Sequence, residues 1–416
     1  MATMTGASEA VPAAAAPQVD DVARWRRNLV VLILLTGGVK STLAFTAVVP
    51  GLQLIAAEFH NAADSILSAQ FVITLAPIGM ALAGLIAGLF VRTSNLRGTM
   101  FVALGVSTIA GLMPLVIHNY TLLLATRFIL GFSAVVADVA MTSVLAAYFT
   151  GGMRSKLIGF RQSISHISTV ITMLASGWLA QHYGWRASSL LFVIPGLLLL
   201  LAFVAFDRPI SREQQEQAQE GAQLSLVQLL PLLLLSLIMA LGHAMPHYQM
   251  PFLLRENGIT NAELVSYVPA LSAGVSILSA LVFGFVYARF GFATLVAAAT
   301  LMGIGFIGSG LATSYEMILF FIVIEGVGAG WTMPFFLTRI LDRVTTAQRN
   351  HAVGLTLASL FIGQFMNPFV TKPIRDAVGL HATFVIMGVG LIVITGVLGL
   401  IVIVRARAKE RALAAA

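Results

Sequence analysis

Cysteine is absent from the 416-residue chain, which excludes a disulfide framework, a thiolate metal site and a cysteine nucleophile. Charge is scarce as well. Asp, Glu, Lys and Arg make up 10% of the residues, against roughly 25% in ordinary soluble domains. Twenty-four basic and 17 acidic side chains are too few to clothe a soluble protein of this size. Lysine is confined to Lys40, Lys156, Lys372 and Lys409 while arginine and alanine abound, a bias that points to a GC-rich bacterial source. Long hydrophilic stretches are missing too, apart from Asp207–Gln223, which leaves no room for a soluble catalytic domain.

Apolar residues account for 58% of the chain, roughly 240 side chains. A helix crossing a bilayer needs roughly 20 of them, so twelve spans would consume nearly the whole apolar inventory. The sequence therefore predicts an all-α polytopic membrane protein. Apolar runs bounded by charge or turn clusters fall at Asn28–Ala57, Ile66–Val91, Gly98–Ile117, Thr121–Phe149, Leu157–His182, Ala187–Phe206, Leu226–Leu254, Leu264–Ala288, Phe292–Thr313, Glu316–Leu337, His351–Ile374 and Leu380–Val404. The expected division is a tail over 1–27, a bundle over 28–206, a linker over 207–224, a second bundle over 225–404 and a tail over 405–416.

The formal charge of +7 would suit a nucleic-acid partner in a soluble protein. In a membrane protein the prior is topology, because basic residues hold loops on the cytoplasmic side. With the N-terminus inside, cytoplasmic segments carry Arg24, Arg26, Arg27, Arg92, Arg97, Arg154, Lys156, Arg208, Arg212, Arg289 and the further basic residues from Arg339 to Arg349 and Arg405 to Arg411. External segments carry Arg186, Arg255, Lys372 and Arg375. The asymmetry predicts both termini in the cytoplasm, an even number of spans and no nucleic-acid partner. The first apolar run is too long for a signal-peptide core, so the N-terminal stretch reads as a retained tail. A bacterial inner membrane is the expected location.

The second half repeats the first at a nearly constant offset. Gly131, Gly159 and Gly184 recur as Gly326, Gly354 and Gly379, and Gly88 and Pro50 recur as Gly284 and Pro246, each in the same place within its span. The chain reads as a tandem duplication of a six-span unit.

Two parallel six-span halves with a polar linker resemble the major facilitator superfamily. The loop after the second span, Gly88-Leu-Phe-Val-Arg92-Thr-Ser-Asn-Leu-Arg97, is similar to that family's Gly-x-x-x-Asp-Arg-x-Gly-Arg-Arg, although the acidic residue is missing. Its second copy is Gly284-Phe-Val-Tyr-Ala288-Arg289-Phe-Gly291. Arg127-Phe-Ile-Leu-Gly131-Phe-Ser-Ala in span four resembles the family's Arg-x-x-x-Gly-x-x-Ala, and the run from His182 to Val193 is typical of the approach to span six. The Gly-Pro element common in span five of drug-proton antiporters is absent between Ser165 and Gly177. The resemblance implies a secondary transporter working by alternating access, with spans one, four, seven and ten lining a central cavity.

A charge within a span is costly and is a functional candidate by default. Lys40, Asp138 and Glu325 lie deep in spans one, four and ten, and the resemblance places all three at the cavity. Their repeat mates are Ser236, Met333 and Leu130, so the scaffold glycines are duplicated and the charges are not. Lys40 is a substrate or coupling residue, or one member of an ion pair with Asp138. Asp138 and Glu325 are the candidate proton carriers, since a carboxyl removed from water binds a proton more readily. Fixed counter-ions to Lys40 or Arg127 are the alternative. Arg127 and Asp138, eleven residues apart, stand about 16 Å apart on one helix face and do not pair. The resemblance makes Arg127 a structural or coupling element of the family, with a substrate clamp as the alternative. Arg161, one turn inside span five, is a substrate residue or snorkels to the cytoplasm. His166, His243 and His247 are hydrogen-bonded packing residues or, since imidazole titrates near neutral pH, coupling residues, and Pro246 implies a kink between the last two. Trp331 could stack on an aromatic substrate or simply pack.

Two functions compete. One is proton-coupled uptake of a small organic anion, a carboxylate or aromatic acid, bound by Lys40, Arg127, Arg161, His166, His243 and Trp331. The other is proton-coupled export of amphipathic or cationic compounds on Asp138 and Glu325. An enzyme would need a nucleophile or metal constellation, and the His243/His247 spacing lacks a third ligand. The expected partners are therefore a small molecule, protons and the bilayer, with no cofactor or metal and a monomeric state.

Overall fold

A computed structural model describes residues 24–59, 64–93, 96–149, 151–206, 226–345 and 348–414. Helices fill these segments, with no strand among the described residues. The tail before Arg24 and the whole of the expected linker lie outside them. Among the described residues, eleven helices are long and apolar enough to cross a membrane. The last, Arg349–Ala414, is continuous except at Gly379, where φ 81° and ψ 170° turn the chain. Dividing it there gives twelve spans, as the apolar runs predict.

The spans are α1 (Asn28–Glu58), α2 (Ser65–Thr93), α3 (Leu96–Leu112), α4 (Tyr120–Tyr148), α5 (Gly151–Tyr183), α6 (Trp185–Ala205), α7 (226–256), α8 (Ala262–Phe290), α9 (Ala293–Leu311), α10 (Tyr315–Leu341), α11 (349–378) and α12 (380–414). Helix α5 begins before the apolar run that marks it. Arg154 and Lys156 end that run without ending the helix, because both are good helix formers. Helix α11 likewise continues through Arg375 and Asp376 to Gly379. The end of the molecule where α1 begins is called the near end, and the end where it finishes the far end.

The repeated glycines do the same work in both halves. A Cβ on Gly131 of α4 would run into the Ala76 carbonyl of α2, and one on Gly326 of α10 would sit 2.9 Å from the Ser272 carbonyl of α8. Ala76 and Ser272 are themselves repeat mates, so one helix crossing is built twice. Gly184 and Gly379 share a second role. Their φ angles of 85° and 81° fall where a side chain is disfavoured, and each turns the chain into the last span of its half.

Both leading spans are broken. In α1 the helix stops at Thr36, resumes at Val39 and passes through a 3-10 turn at Val49–Gly51 containing Pro50. In α7 it runs Leu226–His243, then Met245–Tyr248, then Met250–Glu256, with Pro246 and Pro251 opening the later pieces. Proline has no N–H to give to the preceding turn, which accounts for breaks at these places. The kink expected at Pro246 is present.

Packing differs between the ends. Toward the far end one buried apolar cluster draws on both halves, joining Val49, Leu52 and Val72 to Tyr248, Phe252 and Val268. Toward the near end the clusters are separate: Ile33, Leu34, Met100 and Leu145 belong to the first half, and Leu229, Leu232 and Ile340 to the second. One face of α5 records the same divergence. Met173 is buried, Val170 is half-buried, and His166 and Gln162, one and two turns further toward the near end, are exposed. The two halves are therefore joined at the far end and diverge toward the near end along α5, while α2 and α11 still meet there, a Cβ on Gly354 lying 3.7 Å from the Gly84 carbonyl.

The glycine crossing yields a stability prediction. Gly131→Ala should destabilise the protein by about 1–3 kcal/mol, the usual penalty for overpacking. Gly84→Ala on α2, where an added Cβ meets nothing within 4 Å, should be neutral or stabilising by up to about 1 kcal/mol. Thermal unfolding of the two purified variants in one detergent compares them directly.

Candidate functional site

Asp138 on α4 gathers charge from two other helices. One of its carboxylate oxygens, Oδ1, accepts from Lys40 Nζ of α1 at 2.5 Å and from Arg161 Nη2 of α5 at 2.7 Å. The other, Oδ2, accepts from the Ser41 hydroxyl. Lys40 also donates to the Gly37 carbonyl, and Met141 sulfur lies 3.7 Å from its nitrogen. Arg161 Nη1 donates to Thr142 Oγ1 at 2.5 Å. Lys40 is 1% exposed and Arg161 9%, whereas the Asp138 side chain is 27% exposed. Two cations and one carboxylate leave the cluster with one net positive charge when all are ionised.

Local sequence explains how three helices come so close. Gly37 and Gly38 form the break between the first two pieces of α1. A Cβ on Gly37 would sit 2.6 Å from Met141 sulfur and 3.3 Å from Arg161 Nη2, and one on Gly38 would overlap the Ser165 hydroxyl. The glycine pair lets α5 and α4 approach and sets Lys40 at the start of the next helical piece. A Gly-Gly pair just before an intramembrane lysine was the signal available in the sequence, together with the Ser41 and Thr142 hydroxyls, and neither was singled out there.

The remaining candidates are placed as follows. Lys40 and Asp138 pair, and Arg161 joins them rather than snorkelling. His166, exposed on α5, has a ring nitrogen 3.1 Å from Gln162 Nε2. His243 of α7 is half-buried, close enough to His166 for an electrostatic interaction, with its ring centre 5.9 Å from that of His247. Arg127 stands apart from Asp138, as the helix spacing requires. It is fully buried, and its Nε and Nη2 donate to the carbonyls of Val72 at 2.9 Å and Ala44 at 2.6 Å.

Glu325 departs from the expectation of a cavity position. It is buried inside the second bundle, where Oε2 accepts from Ser272 of α8 at 2.6 Å and its Cβ packs on Gly305 of α9. The reason is angular: Gly305 offers no side chain, so the face of α10 carrying Glu325 turns toward α9 instead of the space between the halves. Trp331 also belongs to that bundle, with Nε1 donating to the Ser279 carbonyl of α8 at 3.1 Å. Among the described residues, no three His, Asp or Glu side chains converge as metal ligands would.

Polar contacts reinforce the joined far end. Gln53 Nε2 donates to the Pro251 carbonyl at 2.6 Å and the Ile259 carbonyl at 3.1 Å. Gln70 Nε2 donates to Gln249 Oε1 at 2.8 Å, and Gln249 Nε2 continues to Asn367 Oδ1 at 2.9 Å and Thr371 Oγ1 at 2.5 Å. Asp64 caps α2 by accepting from Leu67 N at 2.9 Å, and its other oxygen meets Lys372 Nζ at 3.0 Å and Arg375 Nη2 at 2.5 Å, both on α11. Partial burial alone would raise the Asp64 pKa, but the Leu67 amide and the two cations outweigh it and hold it below its ordinary value.

Residues 34–299 and 232–416 match the Major Facilitator Superfamily. The chain belongs to the major facilitator superfamily. No curated protein matches it. Among solved structures, it is similar to a D-xylose–proton symporter at 14% identity and a TM-score of 0.70, over 88% of this chain and 97% of that one. A bacterial homologue of the human lysosomal transporter Spinster, solved inward-facing and unoccupied, aligns at 17% identity and a TM-score of 0.68, over 90% and 96% of the two chains. The human organic anion transporter TETRAN aligns at 15% identity and a TM-score of 0.61, over 88% and 98%. At these identities the likeness is one of fold. The protein is a multi-pass membrane transporter of small molecules.

Asp64 provides a test of the far-end seal. Asp64→Asn keeps a good helix cap but loses the charge that holds Lys372 and Arg375. A single cysteine placed at the buried Val268 in this cysteine-free chain should then react with maleimide about 2–5-fold faster, in keeping with a partly exposed ion pair worth up to ~1 kcal/mol. Because its folded pKa is depressed, the parent Asp64 contributes fully above the ordinary carboxylate pKa. Its contribution is lost as pH falls through the depressed value. Labelling of the parent reporter, corrected for thiolate content, should therefore stay level from pH 8 to pH 5.

Proposed function

We propose that this member of the superfamily takes up a small organic anion, a carboxylate or aromatic acid, together with a proton. The observation that carries the proposal is the net positive Lys40–Asp138–Arg161 cluster. Lys40 and Arg161 already hold one carboxylate, and arginine in particular suits a planar two-oxygen acceptor. A substrate carboxylate competes with Asp138 for the same donors. Once Asp138 takes a proton it releases them, and the substrate occupies its place.

Charge conservation supports this exchange. Lys40, Arg161 and ionised Asp138 sum to one positive charge; with Asp138 protonated and a monoanion bound, the sum is unchanged. A cationic substrate would raise the charge within an apolar bundle, at a cost growing with desolvation. Export of cations on Asp138 and Glu325 is the weaker reading for that reason, and because Glu325 sits within the second bundle. His166 and His243, on facing helices of the two halves, are placed to contact the rest of the substrate. Proton coupling is assigned to Asp138. The excess of basic residues at the near end supports a cytoplasmic near end with both termini inside.

Counterflow in proteoliposomes with a panel of carboxylates, with and without a pH gradient, tests the reading. Lys40→Ala should cut anion counterflow about a hundredfold, the loss of ~3 kcal/mol expected when one partner of a buried charge pair is removed. Asp138→Asn should retain exchange and lose its response to the pH gradient, while Glu325→Gln should keep that response within about threefold. Extrusion of a cationic dye that vanishes in Asp138→Asn, with no anion moved by the parent, would exclude anion uptake.

A further inference from the structure

Among the described residues, Arg127 is a buried cation that no carboxylate pairs. Its guanidinium spends two donors on the backbone carbonyls of α1 and α2, and Nη1 has no partner. Proteins seldom retain an uncompensated buried charge, because the cost of removing it from water is large. Backbone carbonyls orient this guanidinium but do not neutralise it.

The surroundings of Arg127 are equally unsatisfied. Tyr248 of α7 is fully buried with no partner for its hydroxyl. It lies within electrostatic reach of Arg127, and its ring centre is 6.0 Å from that of Phe45, the neighbour of Ala44. On α2, Gln70 Oε1 and Thr74 Oγ1 are buried and unpartnered. They flank Val72, whose carbonyl Arg127 holds, and stand one turn apart on a single helix face. The Gln70 amide nitrogen is 3.2 Å from the Tyr248 carbonyl, which sets that face against α7.

These orphaned groups therefore gather at the seam between the halves, just inside the far-end seal. Arg127, Gln70 and Thr74 ride with the first half and Tyr248 with the second. Parting the halves at the far end uncovers all four together; closing them leaves the donors facing one another with nothing to bind. Groups unsatisfied in one conformation of a two-state protein point to a ligand that visits the other. The donors are a guanidinium N–H pair and a phenol O–H, carried by opposite halves and within electrostatic reach of each other, and a carboxylate accepts from both.

We propose that Arg127 and Tyr248 form a second carboxylate station that receives the substrate from the far side before it reaches Lys40 and Arg161. The inference rests on the anion-carrier reading, in which the far side is external. Eleven residues of α4 separate the stations, about 16 Å along the helix, so one small anion occupies them in turn. Tyr248 makes the first station sensitive to opening: its hydroxyl reaches the anion only as the halves come together. Binding at Arg127 thereby favours closure of the far end.

The test uses Thr74→Cys as a reporter in the full-length, cysteine-free chain, labelled from outside in proteoliposomes with a membrane-impermeant maleimide. Benzoate, acetate and succinate serve as probes. At least one should slow labelling fivefold or more. Tyr248→Phe, which keeps the ring, should raise the half-protecting concentration about tenfold, and Arg127→Lys should raise it similarly. Lys40→Ala should leave it within twofold. Monodisperse yield is measured for each variant, and the ring-conserving Tyr248→Phe decides the matter if Arg127→Lys does not fold. Protection by none of the three probes overturns the station. So does protection unchanged in Tyr248→Phe, or protection lost in Lys40→Ala, which would place the probe at the inner cluster. Protection that follows Arg127 and Tyr248 without carboxylate counterflow leaves the station standing and defeats the uptake reading instead.

Discussion

Asp138 is the point through which the first half of this transporter is tied together. One carboxylate accepts from Lys40, Ser41 and Arg161, which reach it from two neighbouring helices. A charge inside a membrane span persists only where it is paired or wet, and here three charges meet that condition through one residue. The Gly37–Gly38 break, the approach of α5 to α1 and the position of Lys40 at a helix start all follow from the same requirement. Had α4 stood a turn away, both cations would have lost their counter-ion in an apolar environment.

Much of the architecture was legible in the sequence because it depends on quantities that sequence carries directly. Span length needs only hydropathy, and the twelve apolar runs correspond to the twelve spans. The duplicated glycines were legible for a deeper reason. A residue without a side chain is required wherever one helix crosses another at contact distance or the backbone turns through positive φ, and those needs recur with the duplicated scaffold. Gly131 with Gly326 and Gly184 with Gly379 are the two cases. The near-seamless join of α11 to α12 was hidden, since Arg375 and Asp376 interrupt the apolar run without interrupting the helix.

The charged residues were harder to read, because a sequence gives depth along a helix but not its rotation within the bundle. Depth sufficed to nominate Lys40, Asp138 and Glu325. Rotation separates them: Asp138 turns toward α1 and α5, whereas Glu325 turns toward the bare backbone of Gly305. Arg161 and Lys40, 121 positions apart in sequence, share an oxygen that no local pattern announces. Tyr248 left still less trace. Its hydroxyl matters through the guanidinium across the seam, and a buried tyrosine in an apolar run looks like any other packing residue.

The charge cluster lies wholly within the first half, on α1, α4 and α5, whereas the polar contacts of Gln53, Gln70 and Asp64 run between the halves. These are separable inheritances. On the proposed reading, substitutions around Asp138 would retune which molecule is accepted while leaving the balance between open and closed forms almost untouched. Substitutions at Gln53 and Asp64, which seal the far end away from Arg127 and Tyr248, would alter that balance without changing the chemistry of recognition. On this plan recognition and the balance between open and closed forms are carried by different residues, and the second copy of the scaffold has Ser236 and Met333 where the first has Lys40 and Asp138.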